Sequence, residues 1–116
     1  IWDAIRSNSI TLHISNDIFF EYWEILEQKT NREIAENIMN FMAISQSVKF
    51  NNPYINWNLI EVDPDDNKFV DCAFCGGVDC IVTYDAHFDI LKNTSFPYIP
   101  VLTPEKLRPF LQDQNS

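Results

Sequence analysis

The stretch DPDDNKFVDCAFCGGVDCIVTYDAHFDIL (63–91) decides the fold. Asp63-Pro64-Asp65-Asp66 reads as a stop followed by a helix start. Phe69, Val70 and Ala73 then recur at helical spacing, and Gly76-Gly77 ends the helix near Cys75. Cys80-Ile81-Val82-Thr83 is an unbroken apolar run of the kind found in buried parallel strands. Tyr84 and Asp85 close it, and a short helix runs through Leu91.

The same alternation extends outward in both directions. Upstream, residues 1–7 read as the end of a helix with Ile1, Trp2 and Ile5 on one side. Ile10, Leu12 and Ile14 alternate with polar residues as a strand does. Ser15 caps a helix over about 16–28 with a stripe of Ile18, Tyr22, Ile25 and Leu26. Thr30 or Asn31 caps the next, to about Ser45, carrying Ile34, Ile38, Met39 and Met42. Residues 51–58 form a loop, and Leu59 to Val62 reads as a short strand. Downstream, Ile99 to Leu102 is a last strand, and Thr103-Pro104-Glu105 starts a last helix. Strands alternating with helices predict an α/β fold, a parallel sheet covered on both faces in three α/β/α layers. The 116 residues are expected to form one domain.

Composition narrows the function. With 2 glycines, phosphate-cradling loops of the dinucleotide or Walker kind are absent from the sequence. No apolar run approaches the roughly 18 residues that cross a bilayer, so no membrane role is expected. Cys72, Cys75 and Cys80 are an odd number in one segment, which argues for a reducing, cytoplasmic setting over a disulfide framework. A zinc site lacks a fourth ligand and a cysteine–histidine hydrolase lacks a motif, so buried thiols are preferred. His13, on a strand, is expected to be packed and hydrogen-bonded. A net charge of −9 opposes nucleic-acid binding by surface charge. Arg32, Lys49 and Lys68 are the bases available for a phosphate backbone, and each also reads as a plain surface charge.

The acids fall where chemistry collects in parallel α/β sheets, beyond the carboxyl ends of strands. Asp63, Asp65 and Asp66 follow the expected strand at 59–62, Asp85 follows the strand at 80–83, and Glu21 lies in the helix after the first strand. On the helical wheel Asp66 shares the core-facing side with Phe69 and Val70, whereas Lys68 and Asp71 point away. Asp65 or Asp66 also serves as a helix cap. Carboxylates at about 4 Å repel by roughly 1–4 kcal/mol per pair. A hard cation, Mg²⁺ or Mn²⁺, would offset that and activate water for phosphodiester cleavage. An EF-hand is excluded because Lys68 stands at its glycine position and Phe74 at its glutamate.

The runs DPDDNKFVDCAF (63–74), DCIVTYDAHFDIL (79–91) and VLTPEKL (101–107), with HISNDIFFEYWEIL (13–26), resemble the PIN-domain family, most closely its toxin branch in bacterial toxin–antitoxin pairs. The resemblance spans nearly the whole chain in order. It implies a metal-dependent endoribonuclease, with Glu21, Asp66 and Asp85 matching acids of the metal cluster and Thr83 the small hydroxyl residue near the last of them. His87 and Asp63 are possible auxiliaries. It also implies RNA as substrate, a cognate antitoxin and a homo-oligomer. The family opens with a strand ending in Asp that lies mid-sheet. Nothing before Trp2 matches it, so the expected fold lacks its first strand, with a fragment's weak activity and an edge that pairs with another chain. The alternative is a catalytically weak PIN-fold module that binds a protein partner.

Overall fold

The computed structural model describes residues 2–96 and 98–114, with side chains for 4–96 and 98–109. Helix α1 (Trp2–Arg6) leads to strand β1 (Leu12–Ile14), helices α2 (Asn16–Lys29) and α3 (Arg32–Ile44), and strand β2 (Val48–Phe50). A 3-10 turn (Pro64–Asp66) runs into α4 (Asn67–Gly76). Strand β3 (Ile81–Val82), a 3-10 helix (Ala86–Asn93), β4 (Val101–Leu102) and α5 (Pro104–Gln114) complete the order.

The caps explain the boundaries. Ser15 Oγ accepts the Ile18 N–H and starts α2, and Asn31, not Thr30, accepts the Ile34 N–H and starts α3. Thr30 instead closes α2, with its N–H and hydroxyl both donating to the Leu26 carbonyl. Gly77 ends α4 in the left-handed region at φ 61°, where a side chain would be strained.

Strands pair in parallel, as expected, but in two separate pairs among the described residues. β1 lies against β2 (Leu12 opposite Val48, Ile14 opposite Phe50), and β3 against β4 (Ile81 opposite Val101). The core is likewise double. Ile14, Ile18, Met39 and Cys72 centre one cluster; Ile60, Val70, Phe88 and Leu91 centre the other. Phe69 on α4 packs against both, so α4 is the element that ties the halves together. Ile5 of α1 is buried, while the side chains of Ile1 and Trp2 lie outside the described residues.

Four readings are corrected. Residues 59–62 form no strand: the Asn67 side chain takes the place of a neighbouring strand, accepting the Ile60 N–H at 2.9 Å and donating to the Ile60 carbonyl at 2.9 Å. Strand β2 was not anticipated. Ile25 and Ile34 are more than a third exposed rather than seated in their helices' buried stripes. Asp71, expected to face solvent, is buried, because the loop at 51–58 folds over α4 and the Trp57 N–H donates to its carboxylate at 3.0 Å.

Candidate metal centre

The site is assembled by two turns. In the first, Asp63 accepts the Asp65 N–H and Pro64 opens the tight turn that presents Asp66 at the amino end of α4. The cap is therefore Asp63, and the Asp66 side chain makes no capping bond. In the second, the Asp85 N–H donates to Thr83 Oγ1 at 3.0 Å, and Asp85 Oδ1 in turn accepts the His87 N–H at 2.9 Å. These two turns hold the chain after β3 in a fixed path and aim the His87 ring back toward α4.

His87 Nδ1 then donates to Asp66 Oδ2 at 3.2 Å and lies 3.4 Å from Asp85 Oδ1. Donor atoms of Asp63, Asp66 and His87 all come within 4.8 Å of one another, the one such group of three among the described residues. Asp66 is mostly buried, with 16% of its side chain exposed, while His87 is open to solvent at 38%. Burial pushes the Asp66 carboxyl above its ordinary range, Asp63 and Asp85 push it further, and the His87 hydrogen bond opposes them. The bond to Asp66 raises the His87 imidazole, against desolvation and with the help of the Asp85, Asp66 and Asp63 charges. The cluster of acids thus favours positive charge beside it.

Glu21 sits apart from this group. Its carboxylate meets Lys68 Nζ at 2.8 Å, and Lys68 also reaches Asp65 at 2.9 Å. Lys68 does not point away from the acids, as the helical wheel suggested: its flexible stem turns from α4 toward α2, 5.5 Å above the Phe69 ring. Burial works against its charge, but the hydrogen bonds it donates to Glu21 and Asp65 win and hold its pKa above the usual value. Of the three acids expected to meet, Asp66 and Asp85 share His87 as a neighbour and Glu21 is held by a lysine. Arg32 is paired with Glu36 on the surface.

Asn67 is the residue that sequence reasoning missed here. It is buried and its amide also donates to the Pro64 carbonyl at 3.1 Å, so it locks the loop that carries Asp63 to Asp66. An amide directly after an Asp-Asp turn was the available signal. His13 is hydrogen-bonded, as expected, to the Asn51 side chain at 2.7 Å. The three cysteines are free thiols, and burial pushes Cys72 up to about 11.

Parallel strand pairs with helices packed against them define an α/β protein, in which Asp85 after β3 comes near Asp63 and Asp66 at the start of α4. A family profile of the PIN domain matches residues 1–87, three-quarters of the chain, and the protein belongs to that family. PIN domains are typically nucleases that use divalent metal. No curated protein and no solved structure matches the chain. No helix among the described residues is long and apolar enough to cross a membrane.

Proposed function

We propose that the protein is a metal-dependent endoribonuclease of the toxin type, working in the cytoplasm with RNA as substrate. In this reading the α/β elements form a three-layer α/β/α domain, a cognate antitoxin silences the site, and the protein self-associates. The observation that carries it is the convergence of Asp63 and Asp66 with His87, delivered by two turns 21 residues apart.

The donor set fits a divalent cation. Two carboxylates and an imidazole suit Mn²⁺, with Mg²⁺ the harder competitor. Asp66, Asp63 and His87 would hold the ion, Asp85 would orient His87, and Glu21 would join the set by exchanging Lys68 for the cation. Lys68, so released, would be free to pair with a phosphate of the substrate. When bound, the metal supplies an activated water and charge stabilisation for phosphodiester cleavage. Thr83 fixes the turn that places Asp85, and Asn67 fixes the turn that places Asp63 and Asp66.

The competing reading, a catalytically weak PIN-fold module that binds a protein partner, draws support from the Lys68–Glu21 ion pair, which already neutralises one acid. Cleavage of RNA in the presence of Mn²⁺ separates the two. The protein should cleave, and Asp66→Asn should lose more than the roughly 10–100-fold typical of disturbing a ligand's support. Equal activity in Asp66→Asn would remove the assignment, and no cleavage by the wild type would favour the binding module.

A further inference from the structure

A polar cavity of about 520 Å³ opens between the start of α2, the loop at 51–58 and the start of α4, a volume within the range of built ligand sites. Its walls are tied together. The Asn16 N–H donates to Asn52 Oδ1 at 2.9 Å, the Trp57 N–H donates to buried Asp71 at 3.0 Å, and the Asn67 amide donates to the Pro64 carbonyl at 3.1 Å.

The lining narrows the chemistry of an occupant. Apart from Pro53 and Pro64 it is polar, so it suits neither a lipid nor an apolar segment. Asp17, Asp65 and Asp71 outnumber Lys68, which already pairs with Glu21 and Asp65, so an anion is disfavoured. The acids of this lining form no metal-holding group such as Asp63, Asp66 and His87 form, so it is no second cation site. Amide chemistry is what stays open. The carboxamides of Asn16 and Asn56 make no hydrogen bond among the described residues, and Asn52 keeps its Nδ2 unpaired.

One turn serves both this cavity and the metal centre: Asp63 and Asp66 belong to the centre, Pro64 and Asp65 to the cavity wall. We propose that the cavity seats an unpaired nucleobase of the RNA, one that bears an exocyclic amino group, beside the phosphate that reaches the metal centre; this inference rests on the nuclease reading. A carboxamide offers a donor and an acceptor side by side and pairs with the edge of a base. The acids then discriminate. An amino group has two hydrogens, and the one left after pairing with an amide meets a carboxylate, whereas the carbonyls of uracil would meet acceptors. Lys68 lines the same cavity, so the phosphate it would pair with lies next to the seated base.

The test titrates isotope-labelled protein, in chelator, with adenosine, guanosine, cytidine and uridine, and follows side-chain and main-chain amide resonances. The expected result is saturable binding with shifts at Asn16, Asn52 and Asn56. At least one amino-bearing nucleoside should be held about tenfold more tightly than uridine, the discrimination that one good base contact supplies. A double variant, Asn16→Ala with Asn56→Ala, should lose that preference; neither side chain has a partner within the fold, so folding is not at stake. Equal affinity for uridine, equal binding of ribose alone, or shifts confined to other residues would overturn the proposal. So would no binding at millimolar nucleoside, or an unchanged preference in the double variant. Nothing is cleaved in chelator, so failure here leaves the nuclease reading standing. Failure of that reading would show instead as absent RNA cleavage with nucleoside binding intact.

Discussion

At the residue scale, Asn67 and His87 carry the site's geometry. Asn67 replaces a missing strand neighbour for Ile60 and ties it to Pro64. Asn67→Ala would leave a buried N–H and carbonyl without partners, at about 1–3 kcal/mol for each group. We expect chemical denaturation to show a loss of about 2–4 kcal/mol; a loss under about 0.5 kcal/mol would mean that water replaces the amide freely. His87 makes a prediction about pH. Its folded pKa lies above the unfolded value of about 6.5, because Asp66 favours the protonated ring. Its contribution is thus complete below that pH and fades as pH rises through the raised value. In chelator-treated protein, the gap in thermal midpoint between wild type and His87→Gln should be widest in mild acid and close toward alkaline pH. A gap independent of pH would show that the pairing is not linked to protonation.

Elements show what a single sequence displays and what it conceals. Helices α2, α3 and α4 were legible because each carries its own start signal (Ser15, Asn31, and the Asp63-Pro64 turn) and an apolar period. Strand β2 was not, because three residues with Lys49 in the middle make no local pattern; the strand exists through its pairing with β1, 36 residues away in sequence. The reading of 59–62 failed for the converse reason. Its apolar, β-branched content is strand-like, but its partner is a side chain, and Val62 points to solvent at 79% exposure. In the site, the turn at 83–85 was legible as an acid after a strand, whereas the acids at 63–66 were picked out for a strand at 59–62 that does not form; they are presented instead by the Asp63-Pro64 turn at the start of α4. The place of Lys68 was not legible, because a long flexible stem can leave the face its Cα occupies. The junction of α4 with β1 offers an element-scale test. A Cβ at Gly76 would lie 2.7 Å from His13 Nδ1 and 3.1 Å from Asn51 Nδ2, two groups already bonded to each other. Gly76→Ala should therefore destabilise by about 1–3 kcal/mol, despite the helical gain of up to about 1 kcal/mol. A more stable variant in urea unfolding would show that the His13–Asn51 pair moves aside without cost.

For the whole molecule, the central fact is a net charge of −9 on a protein of a nuclease family. Eight lysines and arginines cannot wrap a phosphate backbone when Lys68, Arg32 and Lys92 are already paired with acids. On our account a bound cation resolves the conflict, since it neutralises the acids and recruits the phosphate together. The direct measurement is the thermal midpoint of the protein titrated with Mn²⁺. At 100 times the dissociation constant, an ion that binds only the folded state adds about 2.7 kcal/mol. The account predicts a saturable rise in the wild type that is lost in Asp66→Asn. A wild-type midpoint unmoved by millimolar Mn²⁺, or a rise of equal size in Asp66→Asn, would contradict it.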